Sequence, residues 1–228
     1  RALRNYLDGT DTVSEANKAL INMYGHDSQN ARASIALNRK ASVMRKTKET
    51  SISTTLKMDG GSYGVKIDTG VTMLNHFLTE FANAASVSLH IECSGDLYID
   101  EHPTADDVAI AVGHVVDTAL GTQAGLSGVW CAQQQESDAT KVHVTMDLSN
   151  RPCFFHNLSS LHTAEMVGDL SLEMLEHVLE SLVVNARITV HIVEVEESSS
   201  SGDYLKDLVT VTARALGQAF KYCSMVDQ

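Results

Sequence analysis

The chain has 228 residues, room for one large domain or two small ones, and its 43% apolar content is that of a protein with a packed core. Seventeen Lys and Arg stand against twenty-nine Asp and Glu, and the net charge of -12 opposes a direct grip on nucleic acid or on an anionic membrane. No apolar run approaches the roughly 18 residues a membrane span needs, and Cys93, Cys131, Cys153 and Cys223 form no CxxC pair, which argues against a zinc ribbon or a disulfide framework. A soluble intracellular protein is expected. The opening on Arg1 fits a removed targeting peptide or a trimmed chain, and a mitochondrial or other organellar matrix is slightly favoured over the cytoplasm.

Residues 1–44 read as an N-terminal extension. Within it, Ser14 to Tyr24 places Ala16, Leu20, Ile21 and Tyr24 at helical spacing behind a capping-type serine, either as a helix lying on its own domain or as a docking element for a partner. From Arg45 the pattern alternates. Thr50 to Met58 reads as a strand, Asp59-Gly60-Gly61 as a turn and Tyr63 to Ile67 as its hairpin partner. A helix carrying Leu74, Phe77, Leu78, Phe81 and Ala82 on one face follows, then a strand over Val87 to Ile91 and a helix over Val108 to Leu120.

The same order returns. Lys141 to Leu148 and Arg151 to Leu158 alternate like strands, Leu172 to Val184 is helical, Ile188 to Val193 is a strand and Asp207 to Lys221 is helical. Leu74-Asn-His76-Phe-Leu78 aligns with Leu175-Glu-His177-Val-Leu179, and Ser88-Leu-His90-Ile91 with Thr189-Val-His191-Ile192, at one shared offset. That is an internal duplication. The expected fold is α+β, a tandem repeat (about 45–124 and 125–228) of a half-domain with a mostly antiparallel sheet and two helices.

Candidate chemistry centres on His102 and Asp106, four residues apart on an opening helix, which is metal-ligand spacing. Carboxylates at a helix start also have a structural use, because they complement the macrodipole. Arg45, Lys46, Lys48 and Arg151 are candidates for pairing with a phosphate or carboxylate.

Five strings, taken together, resemble the imidazoleglycerol-phosphate dehydratase family: RKTKET from Arg45, DTGV from Asp68 leading into LNHFL, GDLYIDEH ending at His102, DLSNRP from Asp147, and VGDLSLEM from Val167. The resemblance runs from about Arg45 to about Phe220. It implies a duplicated fold of the ribosomal protein S5 domain 2-like type, two manganese ions that activate a substrate imidazole, a glutamate that moves protons, and large oligomers of trimers with metal sites straddling subunits.

Carried over residue by residue, the implied site is depleted. His76, His102 and His191 match ligand histidines, and Asp106 shortens a ligand glutamate. Asn75 replaces an aspartate and Pro103 a histidine, while Gly202, Asp203 and Lys206 fall where a HHxxE-type motif belongs. Glu49 and Arg151 match substrate-side residues, but Gly128 stands for an arginine and Thr210 for a lysine. Losing even one outer-shell partner typically lowers metal affinity about 10–100-fold. The resemblance therefore implies a catalytically inactive member serving as a structural or interaction subunit of a larger assembly, with no cofactor, at most one residual metal on His76, His102, Asp106 and His191, and protein partners engaged through residues 1–44; a self-trimer stays open. The alternative is an active or weakly active dehydratase with a reduced metal site. A small-molecule sensor built on the residual cleft is a third reading.

Overall fold

The computed structural model describes residues 39–59, 64–95, 102–137, 140–196 and 204–226. The helix expected over Ser14 to Tyr24, the Ser198 to Ser201 run, Gly202 and Asp203 lie outside the described residues.

The first half runs β1 (Lys40–Lys46), β2 (Thr50–Lys57), β3 (Val65–Asp68), α1 (Thr72–Ala85), β4 (Ser88–Gly95) and α2 (His102–Leu120). The second repeats it with β5 (Val129–Ser137), β6 (Thr140–Asp147), β7 (Cys153–His156), a short hairpin β8 (Met166–Val167) and β9 (Leu170–Ser171), α3 (Leu172–Ala186), β10 (Thr189–Glu196) and α4 (Tyr204–Cys223). Strand orders are β1-β2-β4-β3 and β5-β6-β10-β7, so the two sheets share one topology. In each, two pairings are antiparallel and one is parallel, the parallel partners being joined through a crossover helix, α1 or α3. The duplicated α+β fold is thus present.

One expected pairing differs. The opening hairpin joins β1 to β2, with Lys40 opposite Lys57 and Lys46 opposite Ser51, while β3 lies parallel to β4. β1 is an edge strand whose outward residues include Lys40, Ser42, Met44 and Lys46. Only Ala41 is fully buried among its seven residues, so its alternation is hidden among charges and reads as polar chain. It begins ahead of Arg45, and β5, in a glutamine-rich stretch, is likewise unmarked by the hydrophobic pattern.

α1 buries Leu74, Phe77, Leu78, Phe81 and Ala82, and α3 buries Leu172, Leu175, Val178, Leu179 and Leu182, the stripes that helical spacing calls for. Both helices end on a left-handed residue, Ser86 at φ 56° and Arg187 at φ 58°, whose nitrogens close the last turn. Their starts differ. Ser171 caps α3 by accepting from the Met174 nitrogen at 3.1 Å, whereas Val71 gives α1 no side-chain cap. Asp169, on the β8–β9 turn of the other half, supplies it, accepting from the Thr72 nitrogen at 2.6 Å and the Met73 nitrogen at 2.8 Å.

Helices pack across the halves, α1 on α4 and α2 on α3, over one continuous apolar core. Two glycines allow it. A Cβ on Gly113 would fall 2.6 Å from the Asn185 Cβ, and one on Gly217 would fall 2.9 Å from the Ala84 Cβ. The pairs occupy corresponding places in the two halves, so a close helix contact has been duplicated along with the fold.

Candidate active site

The β1–β2 turn and the start of α2 meet in a cleft of about 390 Å³ lined by Thr47, Lys48, Glu49, Pro103, Asp106 and Asp107. The turn is tight because the Thr47 nitrogen donates to the Thr50 carbonyl at 2.9 Å and the Thr50 nitrogen returns to the Thr47 hydroxyl at 3.0 Å. Asp107, 8% exposed, accepts from Arg45 Nε at 2.8 Å and from the Thr50 hydroxyl at 2.6 Å. Burial pushes its carboxyl up, but the hydrogen bonds from Thr50, Arg45 and Thr47 outweigh that and hold it below the ordinary aspartate value. Arg45 is therefore spent inside the protein, and Lys48 is the cation lining the cleft.

Asp106 faces α3, where its Oδ1 accepts the Ser181 hydroxyl at 2.5 Å. His102 opens α2 and is half-buried; Pro103 beside it offers no donor atom, and at the helix start its missing N–H costs nothing. His177 lies one turn ahead of Ser181 on α3 and is exposed. Its counterpart His76 bonds through Nε2 to the Thr210 hydroxyl at 2.8 Å. That hydroxyl donates to the Lys206 carbonyl at 2.8 Å, so its one proton is committed there and the contact with His76 is met by an Nε2–H. Asn75 is also engaged: its Oδ1 accepts from the Thr69 nitrogen at 3.0 Å and the Thr69 hydroxyl at 2.7 Å, closing the turn before α1.

Elsewhere the expected residues stand apart. His191 lies on β10 between Val190 and Ile192, which enter the core, so its ring projects from the opposite face of the sheet. There it meets Phe155 at 5.6 Å, and burial lowers its pKa. Arg151 holds its guanidinium in solvent on the β6–β7 turn, with Nη2 4.0 Å from Asp147 and Nε donating to Ser149, and is not among the residues lining the cleft. Gly128 sits at φ +80°, a conformation an arginine would occupy only under strain. Lys206 is exposed on the first turns of α4, and Thr210 is buried with its hydroxyl bonded to His76 and to the Lys206 carbonyl.

The first residue of α4 is anchored on its own. Tyr204 donates to buried Glu194, which also accepts the Ser160 hydroxyl at 2.6 Å and the Ser160 nitrogen at 3.3 Å. Nothing in the sequence pairs these three residues, which come from β10, the 3₁₀ turn Ser159–His162 and α4.

A model of the imidazoleglycerol-phosphate dehydratase family matches residues 69–220. The chain belongs to the imidazoleglycerol-phosphate dehydratase family. The dehydratase of Salinibacter ruber is 37% identical over 184 residues, 80% of this chain and 88% of that protein. That of Geobacillus kaustophilus is 34% identical over 189 residues (83% and 92%), and the chloroplastic dehydratase 1 of Arabidopsis thaliana 30% over 202 residues (88% and 71%). Among solved structures, the Staphylococcus aureus dehydratase aligns at TM-score 0.64 with 26% identity, covering 79% of this chain and 97% of that one. The Pyrococcus furiosus protein, at 22% identity and TM-score 0.61, shares the fold. These dehydratase relatives speak for the enzyme reading over the inactive one.

The two-manganese centre implied for the dehydratase family does not fit the described donor set of one chain. Among the described residues no three His, Cys, Asp or Glu side chains are grouped to hold one ion, with His191 on the far sheet face and Pro103 beside His102. Of the pair read from spacing, Asp106 lines the cleft beside Glu49 and Asp107, and His102 opens the same helix one turn before it.

Proposed function

We propose that this chain is a weak dehydratase of imidazole glycerol phosphate, working with a reduced metal site. One observation carries the reading: the cleft that sets Lys48 and Glu49 against Asp106, in a chain 37% identical over 184 residues to a protein of that name. Lys48 meets the phosphate as a point charge, and Glu49 is the base that takes a proton from the substrate carbon. His102 and Asp106 hold at most one ion, and a site short of donors binds it loosely. Turnover is weak because the charge developing on the ring has fewer fixed partners. An organellar matrix is the proposed location.

A second reading is a non-catalytic subunit of a larger assembly, docked through residues 1–44 or self-associated as a trimer. It is favoured by the commitments of Asn75 to Thr69 and of His76 to Thr210, which give both side chains structural work. The deciding experiment follows dehydration of imidazole glycerol phosphate by the purified chain with added manganese, beside Glu49→Gln and Asp106→Asn, and measures manganese retained after dialysis. Turnover lost in both variants supports the dehydratase. A parent no faster than the two variants, with no retained manganese, sinks it and leaves the subunit reading.

A further inference from the structure

The Asp107 carboxylate does more than complement a helix start. It is 8% exposed and accepts from donors on one turn: Arg45 Nε at 2.8 Å and Nη2 at 2.6 Å on Oδ1, and the hydroxyls of Thr50 at 2.6 Å and Thr47 at 3.2 Å on Oδ2. Thr47 in turn accepts from the Glu49 nitrogen at 3.3 Å and the Thr50 nitrogen at 3.0 Å. The backbone that carries Lys48 and Glu49 is thereby tied, through Thr47 and Thr50, to the second turn of α2. A buried anion with all its donors drawn from one short turn fixes that turn strongly, because charge-assisted hydrogen bonds are short, directional and costly to leave unmade.

From this we infer that Asp107 is the positioning residue of the cleft, clamping the Arg45–Thr50 turn to α2 so that Lys48 and Glu49 stand opposite Asp106. Asp107 borders the cleft but acts through these neighbours, since both of its oxygens are taken up by Arg45, Thr50 and Thr47. The role rests on the cleft being the ligand site of the proposed dehydratase, and it assigns anion recognition there to Lys48, since Arg45 is consumed by the clamp.

The test uses the full chain, Asp107→Asn, which keeps size and removes charge, and Thr50→Val, which removes one donor and leaves the carboxylate paired to Arg45. Asp59→Asn, which breaks the separate Arg39–Asp59 pair, controls for general loss of stability. Two quantities are read: amide hydrogen exchange in the segment 45–51 and the Kd for imidazole glycerol phosphate. Asp107→Asn should speed exchange in that segment roughly tenfold or more and weaken binding by a similar factor, with β6 and β10 unchanged; Thr50→Val should do the same to a smaller degree. Asp59→Asn should do neither. Unchanged exchange in 45–51, or a rise no larger there than in β6, overturns the clamp even where the parent binds. Failure of the parent to bind overturns the ligand-positioning role together with the cleft reading, while the exchange result still says whether the turn is clamped.

Discussion

Adding one methyl group at Gly217 tests the close contact that joins the halves. In Gly217→Ala the new Cβ would lie 2.3 Å from the Phe81 carbonyl oxygen and 2.9 Å from both the Ala84 Cβ and the Ala85 nitrogen, against a neighbouring helix whose backbone has no flexible end to swing away. Relief requires α1 and α4 to separate locally by roughly 1 Å, which loosens Phe81 against Phe220, whose rings sit 5.8 Å apart. Overpacking of this kind costs about 1–3 kcal/mol, while alanine regains about 1 kcal/mol of helix propensity over glycine. A contact at 2.3 Å with a backbone oxygen puts the cost at the upper end, so the net is a loss of about 2 kcal/mol. For a chain of this size that lowers Tm by roughly 4–8 °C, readable by calorimetry or by circular dichroism at 222 nm. Gly113→Ala, the counterpart against Leu182 and Asn185, should move Tm in the same direction. Unchanged or raised stability in both variants would refute the close helix approach, because propensity alone predicts a gain.

Other consequences follow from single residues. Asp169→Ala removes the cap that the second half lends to α1 and should cost about 1 kcal/mol at pH 7 in urea unfolding. Burial raises the Asp169 carboxyl, but the backbone bonds from Thr72 and Met73 win and hold it below its ordinary value of 3.8. Its contribution is therefore complete above about pH 4 and disappears as pH falls through the lower folded value, so the gap between parent and variant should close in acid; a gap constant down to pH 2 would contradict the assignment. Burial of His143, with Lys141 adding to it, pushes its pKa down to about 4 from 6.5. The unfolded chain then takes up the proton first, so the protein loses about 3 kcal/mol between pH 6.5 and pH 4, and His143→Gln should flatten that part of the curve. Tyr204→Phe should cost about 1 kcal/mol by removing a donor from buried Glu194, and an unaltered urea midpoint would count against the anchor.

Periodicity along the chain placed the helices α1 to α4 and the central strands, because each core-facing stripe is a local property of residues three to four or two apart. It missed β1 and β5, whose burial comes from neighbours across the sheet and not from their own composition. It also paired β2 with the wrong partner, since alternation marks a strand without naming its neighbour. The site behaved in the same way. His102 and Asp106 were legible as a four-residue spacing, whereas the clamp of Arg45, Thr47 and Thr50 on Asp107 joins positions 57 to 62 residues apart, and Ser181 reaches Asp106 across 75.

The sequence by itself determined the duplicated α+β plan and the family, because repeated stripes and five strings in register need no geometry to be read. Only the tertiary structure decided what the polar residues do. Asn75 closes a turn, His76 is spent on Thr210, Arg45 on Asp107, and His191 faces away from the helices. A side chain's type lists the bonds it is able to make, but which one it makes depends on the donors and acceptors that folding brings within about 3 Å.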